Sequence, residues 1–258
     1  MVTNDELTID MNQPEEQLAA QLSAFLPRAA KLANVPVSGF RVGAAALGAS
    51  GRVWLGANQE FAQLPHNFTV HAEQAAVLNA RSHGETKLLM LAVSAPPCGY
   101  CRQFLRELKT PLEIVLDCRI VSLDALLPEA FALSADEETM LSGKAGLSFS
   151  AGSSLKDAAL AAARVSYSPY TGTKSGAALL CASGKIFCGS LLESAAYNPS
   201  LSALQSAFTL RALGGASGDP VRRCVLAETG PAAMGEVFLP LMRCLAPEAD
   251  CELFDIDD

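Results

Sequence analysis

The chain has 258 residues, half of them apolar and 18% charged, which is enough to bury the core of one large domain or two small ones. Its net charge of −8, with Lys and Arg scattered, argues against a nucleic-acid partner, because such partners are met by a basic stripe that displaces counterions. No apolar run reaches membrane-spanning length, and the acidic start MVTNDELTIDMNQPEEQL has no basic segment ahead of an apolar core, so neither a membrane span nor a secretory signal is expected and the expected location is cytoplasmic.

In chain order, the patterning predicts a helix over about 14–34, bent at Pro27, and then a hairpin of two strands around a Ser-Gly turn. A helix over about 70–82, a strand at 88–94, a helix over about 98–109 and a strand at 113–117 follow. Residues 134–154, rich in Ser, Gly and acidic side chains, read as a linker. Beyond it the same order returns: a helix over about 154–165, a hairpin, a helix over about 201–213, a strand at 223–228, a helix over about 232–245 and a strand at 251–256. The expected domains are therefore 1–133 and 155–258. The expected class is α/β, two tandem copies of a three-layer α/β/α domain, each with a mixed sheet.

An internal repeat supports the division. ASGRVWLGANQEFA (49–62) lies over ASGKIFCGSLLESA (182–195) at an offset of 133. The same offset pairs Pro36 with Pro169, Gly39 with Gly172 and Gly43-Ala44-Ala45 with Gly176-Ala177-Ala178. Continued without a gap, it sets His71 over Leu204, Glu73 over Ser206, Cys98 over Pro231 and Cys101 over Met234.

Those four first-half residues are the candidate site. His71 and Glu73 stand in TVHAEQAAV, Cys98 and Cys101 in APPCGYCRQF. One imidazole and two thiolates make a three-ligand zinc site with an open position, the arrangement of a catalytic rather than a structural zinc. A carboxylate beside the metal, Glu73, is the proton shuttle such chemistry needs. A C-x-x-C alone would serve equally as a redox pair, or as half of a structural site whose fourth ligand would be His66 or His83. What favours catalysis is the conjunction: both motifs open successive helices joined by a strand, which brings their N-termini to one sheet edge. The second copy keeps the shape without the chemistry and is expected to be catalytically dead. The other six cysteines, Cys118, Cys181, Cys188, Cys224, Cys244 and Cys251, lie among apolar neighbours and read as buried free thiols.

H-x-E followed by P-C-x-x-C is the known signature of zinc deaminases acting on nucleobases. Together with GFRVGAA, GANQEF and, in the second half, AAYNPSLSALQ and VLAE, it makes the chain resemble the cytidine deaminases, in their two-domain homodimeric form with an active N-terminal and a degenerate C-terminal domain. The resemblance implies His71, Cys98 and Cys101 as ligands of one Zn²⁺ per chain and Glu73 as the shuttle. It implies a nucleoside-binding set of Asn58, Gln59 and Glu60 at the ribose, Phe40 against the base, and the carbonyls of Ala72 and Pro96 at the exocyclic amine. Two of these have plainer readings: Phe40 as a core residue, and Glu60 as a paired carboxylate, since Glu193 repeats it in the second half. The implied reaction is hydrolysis of cytidine and deoxycytidine to the uracil nucleosides with release of ammonia, a step of pyrimidine salvage. The alternatives are a polynucleotide-editing cytosine deaminase and a non-catalytic zinc-binding dimerisation module.

Overall fold

The computed structural model describes residues 7–117, 119–131, 138–142 and 154–256. Cys118 and most of the linker expected over 134–154 lie outside these residues.

The opening helix is two helices, α1 (Glu15–Ser23) and α2 (Leu26–Ala30), with Pro27 in the first turn of α2, where a missing N–H costs nothing. The hairpin β1 (Gly43–Gly48) and β2 (Val53–Ala57) leads to α3 (Ala72–Ser82), β3 (Leu88–Val93), α4 (Gly99–Leu105) and β4 (Glu113–Leu116). A further strand, β5 (Arg119–Ser122), and the single turn α5 (Leu123–Leu126) were not expected. The second half runs α6 (Leu155–Arg164), β6 (Lys174–Cys181), β7 (Ile186–Ser190), α7 (Ala203–Leu213), β8 (Val221–Thr229), α8 (Gly235–Leu245) and β9 (Asp250–Asp255).

Each half has a mixed sheet, ordered β2-β1-β3-β4-β5 and β7-β6-β8-β9. Pairing is antiparallel except at β3–β4 and β8–β9, the parallel pairs that α4 and α8 bridge. Alternation along the strands divides each half into layers. Ala44, Ala46, Trp54 and Leu91 face α3, whereas Ala45, Leu47, Leu55 and Met90 face α1 and α2. In the second half Ala177, Leu179 and Leu226 pack with α7 and α8, and Ala178, Val225 and Ala227 with α6. Both three-layer units are therefore as expected. The first core also takes in Tyr167, Leu192, Leu201 and Leu213 of the second half, and α3 lies against α7.

The repeat is real but not ungapped. The hairpins and the β3 and β8 strands correspond at 133: Gly43 pairs with Ala57 and Gly176 with Ser190, while Leu47 pairs with Met90 and Leu180 with Arg223. The helices do not. A Cβ on Gly56 would lie 2.2 Å from the Ala76 nitrogen, and one on Gly189 the same distance from the Ala207 nitrogen, which fixes α3 to α7 at an offset of 131. The loop from 193 to 201 is two residues shorter than its first-half counterpart. The expected counterparts are thus corrected: by place in their helices, Ser202 stands for His71 and Leu204 for Glu73, while Met234 and Val237 stand for Cys98 and Cys101. None of the four supplies an imidazole, thiolate or carboxylate.

Among the described residues the cysteines are free, as expected. Cys181 and Cys224 are buried, but Cys188, Cys244 and Cys251 are only partly so, because they sit toward the sheet edges and on α8 rather than in the central layers.

Candidate metal centre and its cleft

The two helix N-termini converge. His71 is the N-cap of α3 and Cys98 the N-cap of α4, with Cys101 on the first turn of α4. His71 Nδ1 lies 3.5 Å from Cys98 Sγ and 3.3 Å from Cys101 Sγ, and the two sulfurs are 3.6 Å apart. Bonds of about 2.3 Å to sulfur and about 2.0 Å to nitrogen, set tetrahedrally, give ligand separations of about 3.5–3.8 Å, so this triangle fits one face of a zinc tetrahedron. The three are the one group of His, Cys, Asp and Glu donors among the described residues that gathers within metal-binding reach, and no fourth side chain joins it. His83, one suggested fourth ligand, caps the far end of α3 and stacks on Trp54.

The three donors shift one another's proton affinities. The neighbouring Cys101 thiol, then His71, hold the Cys98 thiol down, to about 3, against the burial that opposes it. Cys98 in turn pushes the Cys101 thiol up, with burial adding to it, and raises the His71 imidazole through its hydrogen bond. Positive helix ends favour thiolates here, and a divalent cation satisfies all three groups at once. Glu73, on the first turn of α3, is 4% exposed, and burial raises its carboxyl group above the ordinary range. A buried carboxyl able to take and return a proton is what acid–base work near neutral pH requires.

A cleft of about 400 Å³ opens over this group. Of the expected site residues, Phe40, Asn58, Glu60, His71, Ala72, Glu73, Pro96 and Cys98 line it. Cys101 sits below, fully buried. The residues not anticipated in the cleft wall are Ser38, Val42, His66, Thr69 and Ala95. Val42, Thr69 and Ala95 belong to the GFRVGAA, TVHAEQAAV and APPCGYCRQF segments already singled out. His66, considered as a fourth ligand, lines the cleft without joining the donor group, which leaves Ser38 as the residue nothing in the sequence marked.

Gln59 does not reach the cleft. Consecutive side chains of an extended chain point to opposite sides, so with Asn58 and Glu60 facing the cleft, Gln59 turns inward, where its amide donates to Leu32 O at 3.0 Å and Ala57 O at 3.3 Å. It is a scaffold residue. The Ala72 carbonyl, expected at a ligand amine, lies instead in the α3–β2 contact, 2.3 Å from where a Cβ on Gly56 would sit. Phe40 is 63% exposed, so its reading as a core residue fails.

Asn58 and Glu60 shape the cleft wall. The Asn58 amide accepts from Val42 N and donates to Phe40 O, both at 2.9 Å, spanning the segment that carries Phe40. The Glu60 carboxylate accepts from Val37 N at 2.9 Å, Ser38 N at 3.0 Å and the Ser38 hydroxyl. Glu193 does the same in the second half, accepting from Tyr170 N, Thr171 N and the Thr171 hydroxyl. The repetition noticed in the sequence therefore marks a shared loop clasp. A second cavity, of about 260 Å³, adjoins the cleft through His66, Thr69 and His71, and its far wall is the second half's Asn198–Leu201 segment.

Two family models, each described as the cytidine and deoxycytidylate deaminase zinc-binding region, match residues 17–116 and 123–237. The cytidine deaminase of Salmonella typhi is 40% identical over 239 residues, 91% of this chain and 81% of that protein. The chain belongs to the cytidine deaminase family. The cytidine deaminase of Salmonella paratyphi A matches to the same extent. The crystal structure of cytidine deaminase from Mycobacterium tuberculosis is 40% identical and covers 44% of this chain and 97% of its own, with a TM-score of 0.42. As a member of this family, the chain has its His-Cys-Cys group and Glu73 within the first matched region, and the second region has no such group among its described residues.

Proposed function

We propose that the chain catalyses the zinc-dependent hydrolysis of cytidine and deoxycytidine to uridine and deoxyuridine, releasing ammonia. The observation that carries this reading is the meeting of the His71, Cys98 and Cys101 donors with buried Glu73 at the floor of one cleft whose walls include Asn58, Glu60 and Phe40. His71, Cys98 and Cys101 would hold one Zn²⁺ per chain. When bound, zinc supplies the Lewis acidity that makes water nucleophilic near neutral pH. Glu73 takes the proton of the attacking water and delivers it to ring N3, which makes C4 more electrophilic. Once the water oxygen has bonded to C4, Glu73 takes the remaining hydroxyl proton and passes it to the exocyclic nitrogen; the C4–N bond breaks, ammonia leaves and the C4 carbonyl forms.

The cleft residues orient the nucleoside. Phe40 offers a ring face to the base, while Asn58 and Glu60 keep lone pairs for the sugar hydroxyls beyond the loop bonds they already make. The carboxylate at Glu60 would repel a phosphodiester there, which favours a free nucleoside over a polynucleotide. We assign the catalytic domain to 1–133, the linker to 134–154 and the degenerate domain to 155–258. We further propose a homodimer, in which a partner copy covers the exposed Phe40 and Tyr100 (63% and 46%). A cytoplasmic location accompanies the reading, because thiolate ligands and free thiols persist in reducing surroundings.

The test is zinc content by mass spectrometry alongside ammonia release from cytidine and from single-stranded DNA. One zinc per chain and turnover of cytidine alone is the expected result. Turnover of the polynucleotide, or zinc without turnover of either, would favour the editing enzyme or the non-catalytic module.

A further inference from the structure

Glu107 ties the thiolate-bearing helix of the first half to the second half. The helix α4 runs without interruption into a 3-10 turn, Arg106–Leu108, so Glu107 is rigidly joined to Cys98 and Cys101. The Glu107 side chain is buried, 3% exposed, and among the described residues every hydrogen-bond donor to its carboxylate comes from the second half. Tyr167 OH donates to Oε2 at 3.0 Å, Tyr170 OH to the same oxygen at 2.7 Å, and Ala195 N to Oε1 at 2.7 Å. Burial, with Glu107 beside them, pushes both phenols above their ordinary range, so they remain protonated and remain donors.

The clamp is one-way. Counted nine residues from the helix N-cap, the place of Glu107 on α8 falls at Arg243, which is exposed. A contact that served only to glue two similar halves would be expected in both directions, as Gln74 to Pro199 O and Gln205 to Phe68 O are. This one holds only the helix that carries sulfur ligands. Apolar side chains such as Phe104, Leu105 and Leu108 seat that helix in the core, and within its own half Arg102 donates to Leu126 O at 2.9 Å and Gln103 to Phe131 O at 2.7 Å. The three bonds to the Glu107 carboxylate add directed restraint from the second half, at the C-terminal end of the same helix.

We propose that Glu107 is a positioning residue for the metal centre, and that Tyr167 and Tyr170 of the metal-free half act through it to set how tightly zinc is retained. The inference rests on the zinc-site reading above. It gives the half without ligands a task in the chemistry of the other: holding the Cys98–Cys101 pair in register with His71.

The experiment compares zinc release from the full chain to the chelator 4-(2-pyridylazo)resorcinol in wild type, in Tyr167→Phe/Tyr170→Phe, and in Val225→Ala, which loosens the second half on its opposite face. The double variant is expected to release zinc about tenfold faster, the scale of lost outer-shell support, with activity restored by added zinc. Val225→Ala should release zinc at the wild-type rate despite a lower melting temperature. Equal release from the double variant and wild type, or equally fast release from both variants, would overturn the proposal. Should the double variant fail to fold, Tyr170→Phe alone, at a half-buried position, carries the same comparison. A wild-type chain without zinc would instead count against the metal site itself.

Discussion

Gln74 and Gln205 make the same bond into one another's half. Gln74 Nε2 donates to Pro199 O at 2.7 Å, and Gln205 Nε2 donates to Phe68 O at 2.9 Å. Each glutamine is the third residue of its helix, each accepts at 3.0 Å from the N–H of its own N-cap, His71 or Ser202, and each acceptor lies three residues ahead of that cap. Residue i meets j and j meets i, which is the mark of a two-fold interface, here built within one chain.

The pair yields a measurable asymmetry of donor and acceptor. Gln205→Glu keeps the oxygen that accepts from Ser202 but replaces the donor facing the Phe68 carbonyl with a second acceptor. Urea denaturation should show a loss of about 1–3 kcal/mol. An unchanged midpoint would mean that the bond adds nothing to the interface.

Gly56 and Gly189 allow helix backbone to rest directly on strand backbone. A methyl group at Gly56 would meet Ala76 N at 2.2 Å and Ala72 O at 2.3 Å, and one at Gly189 would meet Ala207 N at 2.2 Å and Ala203 O at 2.4 Å. Backbone cannot step aside as a flexible side chain can, so Gly56→Ala and Gly189→Ala should each cost about 3 kcal/mol or more. Only the first should also strip zinc from the folded fraction, since α3 carries His71 at its N-cap. Equal zinc content in the two purified variants would contradict this.

Glu73→Gln should keep one zinc per chain, because the carboxylate is not among the gathered donors. Ammonia release from cytidine should fall by about 10³-fold, the scale of a lost general acid–base group. Wild-type turnover in this variant would remove Glu73 from the mechanism.

Most of the architecture was legible because the Ser-Gly turns and the internal repeat mark off its elements. β1 is a continuous apolar run buried throughout, and α3 and α7 are buried on nearly every side, so periodicity alone would not have told strand from helix there. The four chemical residues were legible because their types are rarely assembled without a metal. What was hidden is instructive. The two-residue contraction before Ser202 lies where the halves share only scattered identities, so the ungapped repeat carried His71 onto Leu204. Gln59 sits between two cleft residues, and only the alternation of an extended chain reveals that it faces inward. The clamp at Glu107 joins residues sixty or more positions apart, with no local pattern to announce it.

Glu60 gives a pH test with a definite sign. Burial is the largest influence on its carboxyl group and opposes the charge, but the hydroxyl and amide of Ser38 and the amide of Val37 together outweigh it and hold the group below its ordinary value of 4.5. A folded-state value below the unfolded one stabilises the protein above the unfolded value, and that stabilisation is lost as pH falls through the folded one. The stability difference between wild type and Glu60→Gln should therefore be full near neutral pH and shrink between about pH 5 and pH 3. A difference independent of pH across that range would show that the loop is held without the charge.

The bonds from Tyr167 and Tyr170 to Glu107 join two parts of a single polypeptide, and this sets how the assembly answers to scarcity. Segments tethered on one chain meet at an effective concentration in roughly the millimolar range, however few molecules a cell contains. Separate subunits would come apart on dilution. Fusion thus makes the support of the thiolate helix independent of expression level, and leaves the tethered copy free to lose its own ligands without losing its place.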